Sequence, residues 1–160
     1  MSNTTAIPPK GIGGWLILVV IGLLISPIRI SYALATNHWP LIRDGAWSVL
    51  TTPGTDAYHA LWAPLLVFEI AGNVGSIAFA LVTLWFLIRK SRHTPILAIS
   101  WLIWTTAVVV IDFFAADLIP AVAAQSDPES TKELVRSIVG AAIWVPYFLV
   151  SKRVKATFVE

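Results

Sequence analysis

Residues 58–88 read YHALWAPLLVFEIAGNVGSIAFALVTLWFLI, an apolar run that contains a single carboxylate, Glu69. A helix needs about 20 residues to cross a hydrocarbon core about 30 Å thick. Three further apolar runs approach or exceed that length, at residues 14–35, 95–119 and 133–150. All four are continuous, whereas the strands of a membrane barrel alternate in polarity over about ten residues. We therefore predict an all-α protein, an integral membrane bundle of four transmembrane helices.

The composition agrees with a lipid environment. Hydrophobic residues make up 57% of the chain and charged residues 12%, whereas about 25% of a soluble domain is charged. So few charges cannot cover a water-exposed surface, and the lipid bilayer is the predicted partner. The formal net charge of +2 is too small to favour a nucleic acid partner. The chain has no cysteine, which excludes disulfides, thiolate metal sites and cysteine nucleophiles.

Basic residues predict the orientation, because loops on the cytoplasmic side carry an excess of lysine and arginine. One side of the predicted bundle carries Lys10, Arg89, Lys90, Arg92, Lys152, Arg153 and Lys155. The opposite side carries Arg43 and Lys132. We predict a multi-pass protein of the bacterial inner membrane with both termini in the cytoplasm. The alternative, a cleaved signal at Ala33-Leu34-Ala35, is disfavoured because Arg29 stands between the apolar run and that site.

The predicted organisation is a cytoplasmic tail at residues 1–10, a transmembrane domain at 11–151 and a basic cytoplasmic tail at 152–160. The first outer loop contains apolar residues on one side of a helical wheel, which predicts a short amphipathic helix in the headgroup plane. In the second outer loop, Ser130 and Glu133 have the spacing of a capping box. His38 and His59 end outer segments and are interpreted as solvated or capping residues.

Polar residues inside the predicted helices form the most informative pattern. At a rise of about 1.5 Å per residue, Arg29, Asn73 and Arg136 lie about 22 Å from the cytoplasmic ends of their helices. By the same measure Glu69 and Asp112 lie about 25–28 Å from those ends. A charge near the bilayer centre costs about 2.5–3.5 kcal/mol, so we predict one layer in which opposite charges pair. Arg29 is expected to pair with Glu69 or Asp112.

Three functions fit this layer. In the leading hypothesis these five residues line a pocket, open towards the periplasm, that binds or passes a small polar ligand, a lipid headgroup or a proton. In the second, the charges are a structural lock in an accessory or assembly subunit of a larger membrane complex. A third, an intramembrane hydrolase or transferase with Glu69 or Asp112 as general base, lacks a nucleophile, so we predict no enzyme activity. No catalytic residue, cofactor or metal site is predicted, and transport by four helices would require a homo-oligomer.

A basic cluster follows the last apolar run. Lys152, Arg153 and Lys155 lie where a cytoplasmic tail would meet the membrane. Such a cluster attracts anionic lipid headgroups, and it also retains the tail in the cytoplasm. Both interpretations stay open.

Three segments resemble those of a known family. The opening GIGGWL at residues 11–16, the stretch from YHALW at 58–62 to FEIAGN at 68–73, and the closing WVPYF at 144–148 with SKRVKATF at 151–158 are similar to the YdgK-like family. These are small bacterial inner-membrane proteins with a domain of unknown function. The resemblance spans nearly the whole chain and implies a four-helix inner-membrane protein of Gram-negative type. It carries over no activity and no functional residue.

Overall fold

All the regular secondary structure in the described part of the chain is helical. The computed structural model describes residues 11–125 and 127–159. Its helices are α1 Trp15–Ala33, α2 Trp39–Arg43, α3 Ala46–Thr51, α4 Trp62–Ile88, α5 Thr94–Ala116, α6 Pro120–Ala123, α7 Pro128–Val150 and α8 Lys152–Thr157, with a π-helical segment at Leu34–His38. Four of these regions are long and apolar enough to cross a membrane: α1 with its continuation to Arg43, α4, α5 and α7. The predicted all-α four-helix membrane bundle is confirmed.

The four long helices pack in chain order. Helix α1 packs on α4, α4 on α5, and α5 on α7. Helices α1 and α7 are not extensively packed on each other among the described residues. We call the line between α1 and α7 the seam. We call the end of the bundle that holds Gly11 and α8 the terminal end, and the end that holds α2 and α3 the loop end.

Small residues allow α4 and α5 to approach closely. A Cβ added to Gly72 would lie 2.8 Å from Val108 Cγ1, and one added to Gly75 would lie 3.2 Å from Trp104. The buried Ser76 completes the contact, since its hydroxyl accepts a hydrogen bond from Trp104 Nε1 at 3.1 Å. Such close packing is a principal source of helix association in lipid, where no hydrophobic effect drives helices together.

The buried apolar side chains are concentrated in one half of the bundle. The buried apolar cluster lies towards the terminal end and consists of Leu16, Leu23, Ala80, Leu87, Ala98, Trp101, Phe148, Val154 and Phe158. Val154 and Phe158 come from α8 and the residue that follows it, so the predicted basic tail contributes to the core. The predicted tail at residues 1–10 lies outside the described residues.

Helix α7 begins at Pro128, five residues before the predicted start at 133. Asp127 caps it by accepting hydrogen bonds from the Glu129 amide and the Ser130 hydroxyl. The cap therefore belongs to Asp127 and does not involve the predicted Ser130–Glu133 box. These bonds lower the pKa of the Asp127 carboxyl, so the cap contributes to stability at neutral pH and is lost as the pH falls through that lowered pKa.

The first outer loop contains two short helices where one amphipathic stretch was predicted. Gly45 adopts a left-handed φ of 80° and separates α2 from α3. The break follows from glycine's tolerance of positive φ. The neighbouring Arg43 and Asp44 side chains pair with each other, at 2.7 Å between Nε and Oδ1.

We predict that Gly72→Ala lowers the stability of the bundle. The added methyl would overlap the stiff, β-branched Val108, and overpacking of this kind costs about 1–3 kcal/mol. Thermal unfolding of the purified protein in detergent measures the change. Gly140→Ala is the matched control, because a Cβ at Gly140 meets nothing within 4 Å. The double variant Gly72→Ala/Val108→Ala should recover part of the loss, and equal melting temperatures for Gly72→Ala and Gly140→Ala would contradict the prediction.

Candidate functional site

Three cavities follow one another along the bundle. The upper cavity, nearest the loop end, has a volume of about 250 Å³ and is lined by α1, the π-helical segment, α4, α5 and α7. The middle cavity, of about 190 Å³, shares Arg29, Asn73 and Glu133 with the upper one. The apolar cavity, of about 150 Å³, lies towards the terminal end between α1, α5 and α7. Trp101 lines both the middle and the apolar cavities.

The structure brings the sequence-predicted residues to these cavities. Four of them line the upper cavity, namely Arg29, Glu69, Asn73 and Asp112. The fifth, Arg136, lines the middle cavity. Their shared position results from helical spacing, since Glu69 and Asn73 lie one turn apart on α4.

His38 is a polar partner that the sequence interpretation missed. Its Nε2 lies 2.7 Å from Glu69 Oε2, with both side chains largely buried. The π-helical segment explains this position. The Trp39 amide donates to the Leu34 carbonyl, five residues earlier, so this turn contains one more residue than an α-helical turn. The extra residue changes the direction in which the residues after Ala33 face, and it places His38 on the side of the cavity. Single π turns in α-helices are frequent at functional sites.

Two buried polar atoms in the upper cavity make no hydrogen bond within the described residues. They are Asp112 Oδ1 and His38 Nδ1. The direction of the His38–Glu69 hydrogen bond depends on the tautomer of the imidazole. In the tautomer whose Nε2 donates to Glu69, both Nδ1 of His38 and a carboxylate Oδ1 of Asp112 are acceptors. Buried polar atoms in native proteins nearly always have partners, so such exceptions point to a bound donor.

Arg29 pairs differently from the sequence expectation. Its guanidinium Nη2 lies 3.9 Å from Glu133 Oε1, and each of the two side chains is 59% exposed. The expected partners, Glu69 and Asp112, line the same cavity but form no ion pair with Arg29 in the described structure. The Arg29–Glu133 pair bridges α1 and α7, so it lies across the seam. Its exposure at membrane depth is costly in lipid.

Arg136 is the second guanidinium of the site. Glu133, three residues earlier on α7, pairs with Arg29 and not with Arg136. No carboxylate of the described residues lies within 4 Å of Arg136. The side chain lines the middle cavity with Ser137 and Thr105. The cavities thus contain three carboxyl groups, two guanidinium groups and one imidazole.

Metal binding has no support in the geometry of the described residues. No three histidine, aspartate or glutamate side chains among them are arranged to hold a metal ion. The carboxylates of the upper cavity share their space with a guanidinium, which repels cations. An organic ligand fits this mixture of charges better than a metal ion does.

The basic cluster at the terminal end divides into two kinds of residue. Arg153 lies over the residues that lead into α1, where a Cβ added to Gly13 would overlap its Nη1. Beside it, Thr157 Oγ1 accepts a hydrogen bond from the Gly11 amide at 3.0 Å. Lys152 and Lys155 are exposed. Arg153 therefore packs against the residues that precede α1, whereas Lys152 and Lys155 form no ion pair with another described residue. Their contact with lipid headgroups stays a prediction.

Comparison with known proteins identifies relatives over the whole chain. Residues 9–159 match a family described as a protein of unknown function, DUF2569. The chain is 30% identical to the inner membrane protein YdgK of Escherichia coli (strain K12), over all of this chain and 99% of that protein. No solved structure matches the chain.

We predict that Arg153→Gln destabilises the terminal end, whereas Lys152→Gln does not. The substitution removes the guanidinium that packs over Gly13. Without this group we expect α8 to separate from the start of α1. Limited proteolysis of the detergent-solubilised protein should cut the Arg153→Gln variant faster near residues 151–158. Identical cleavage rates in the two variants would show that Arg153 does not hold α8.

Proposed function

We propose that this chain, which belongs to the DUF2569 family, is a non-enzymatic inner-membrane protein whose upper and middle cavities bind a small polar ligand. The family membership confirms the resemblance to YdgK-like proteins seen in the sequence. The chain is a multi-pass membrane protein, and its YdgK relative is named for the inner membrane. With the predicted orientation, the cavities open towards the periplasm.

The unsatisfied acceptors in the upper cavity carry this proposal. Asp112 Oδ1 and His38 Nδ1 are buried without a partner in the described structure, and each costs about 1–3 kcal/mol if it stays unpaired. A purely structural lock would gain nothing from leaving them so. A ligand with several N–H or O–H donors would satisfy both atoms at once.

The balance of charges indicates the class of ligand. Three carboxyl groups and one guanidinium line the upper cavity, so a ligand with a positive group is favoured there. In the middle cavity two arginines outnumber one carboxylate, Glu133, which favours an anionic group on the same ligand. A zwitterionic molecule, or the zwitterionic part of a larger one, fits both cavities.

The lining residues support binding in preference to catalysis. The His38–Glu69 pair resembles a base with its orienting carboxylate. Such a pair needs a nucleophile, and among the described residues Ser130 is the only one that brings a hydroxyl to the upper cavity. Its hydroxyl donates to Asp127 at the cap of α7, which leaves it unsuited to attack a substrate.

A second candidate function, the accessory subunit, is favoured by one observation. The exposed Arg29–Glu133 pair is a bridge between two helices that otherwise pack little on each other. If this bridge is the main role of the charges, Glu133→Gln should unfold the bundle and release a stoichiometric partner protein. In the binding proposal, Glu133→Gln stays folded and loses affinity for the ligand.

We predict that Asn73→Cys is labelled from the periplasmic side by a membrane-impermeant maleimide. Thiols react as thiolates, which need water, and Asn73 lies between the upper and middle cavities. The native chain has no cysteine, so the background is zero. Val74→Cys is the matched control: it is the next residue on α4, is 52% exposed, lines neither cavity and faces the predicted lipid.

Labelling in intact cells and in inverted vesicles measures access from the two sides. We expect Asn73→Cys to react in cells at least about tenfold faster than Val74→Cys, since hydrocarbon excludes both water and the reagent. Denatured protein must label fully at both positions. Equal, slow labelling of the two variants in the membrane would show a dry site and overturn the proposed water-open pocket.

A further inference from the structure

The polar cavities adjoin an apolar cavity along the same seam, and Trp101 is a wall common to the middle and apolar cavities. The upper and middle cavities share Arg29, Asn73 and Glu133. The apolar cavity is lined by residues such as Leu18, Gly22 and Phe148. Charged walls at one end of this path and hydrocarbon walls at the other match an amphiphile with a zwitterionic head.

We propose that the seam between α1 and α7 binds a phospholipid with a primary-amine headgroup, whose phosphate lies at Arg29 and Arg136 and one of whose acyl chains enters the apolar cavity. This inference rests on the proposed polar pocket and names its ligand class. The second acyl chain remains in the bilayer beside the seam.

The dimensions of the path fit one acyl chain. Arg29 and Leu18 are eleven residues apart on α1, which is about 16 Å at about 1.5 Å per residue. That length is close to the thickness of one leaflet, which is about half of the 30 Å hydrocarbon core. One extended acyl chain is therefore long enough to reach from Arg29 to Leu18.

Entry from the bilayer requires a gap between two helices, and the seam supplies it. Among the described residues α1 and α7 lack extensive packing. They meet at the terminal end through the edge-on rings of Trp15 and Trp144, 6.2 Å apart, and towards the loop end through Arg29 and Glu133. A lipid can pass between these two points without unfolding any helix.

The choice of headgroup follows from the unpaired groups. Guanidinium groups bind phosphate oxygens through paired hydrogen bonds, and Arg136 has no carboxylate within 4 Å in the described structure. A primary ammonium has three N–H donors, which suit Asp112 Oδ1 and, in the tautomer whose Nε2 donates to Glu69, His38 Nδ1. A quaternary choline has no such donor, and a glycerol headgroup adds no positive charge against three carboxyl groups.

Native mass spectrometry of the full chain tests this directly. The protein is released from mixed micelles that contain equal amounts of phosphatidylethanolamine, phosphatidylcholine and phosphatidylglycerol with the same acyl chains. We expect retention of one phosphatidylethanolamine, in at least about tenfold excess over each of the other two. Asp112→Asn, which removes the carboxylate but keeps the shape, should reduce that excess over phosphatidylcholine.

The acyl-chain part of the proposal has its own variant pair. Gly22 lines the apolar cavity and a Cβ there meets nothing within 4 Å, so Gly22→Leu fills the path without a backbone clash. It should weaken phosphatidylethanolamine binding at least about tenfold, the loss expected when two or more methylene groups are displaced. Gly140→Leu is the matched control, since its site is equally open and lines none of the three cavities. Equal melting temperatures of the two variants confirm that both are folded.

A soluble probe separates this inference from the proposed function. Phosphoethanolamine, added at millimolar concentration, should raise the melting temperature of wild type and of Gly22→Leu equally, because it needs the polar cavities alone. If wild type binds phosphoethanolamine but retains no lipid, or if Gly22→Leu retains as much lipid as Gly140→Leu, the lipid inference is wrong and the polar pocket stands. If phosphoethanolamine has no effect on wild type and Asn73→Cys is not labelled, the polar pocket itself is wrong.

Two outcomes of the mass spectrometry experiment would also overturn the lipid inference. Equal retention of phosphatidylglycerol would overturn the selection for an amine headgroup. A lipid-free dimer would identify a second copy of the chain as the occupant of the seam.

Discussion

The close contact between α4 and α5 is the interaction on which the rest of the bundle depends. Gly72 leaves room for Val108, and Ser76 accepts a hydrogen bond from Trp104 while its own hydroxyl donates to the Gly72 carbonyl. These two helices form the centre of the row, with α1 attached on one side and α7 on the other. Because the outer two helices depend on the central pair and little on each other, space remains between them. The polar cavities occupy that space.

Charge in this protein is organised by position along the bundle. The half near the terminal end contains apolar side chains around the smaller apolar cavity, whereas the other half contains carboxyl, guanidinium and imidazole groups around the two larger cavities. A membrane protein that needed only stability would bury apolar side chains in both halves, since buried ion pairs are often no more stabilising than apolar packing. The uneven distribution of charge supports the proposed binding site.

Much of this architecture could be predicted from the sequence, because hydrophobic runs of about 20 residues have one common explanation. The fold class and the spans followed from length and polarity, and the shared depth of Arg29, Glu69 and Asp112 followed from the constant rise of a helix. The partner of each charged side chain could not be predicted. The rise per residue determines how deep a residue lies in the membrane, but it does not determine how each helix is rotated about its axis. Arg29 therefore meets Glu133 in place of the expected partners. The position of His38 depends on a π turn, a local departure from the 3.6-residue period that has no strong sequence signal.

The bridge between Gly11 and Thr157, together with Arg153 over Gly13, has a mechanical consequence for the seam. It ties the start of α1 to the helix that follows α7, so these two long helices are joined at the terminal end. Two rods joined at one end separate by pivoting, and the separation grows with distance from the joint. Widening of the seam would then be greatest near Arg29 and Glu133, where a single exposed ion pair holds the helices. The helices would therefore pivot about the terminal end, and the largest change in their separation would occur beside the charged residues.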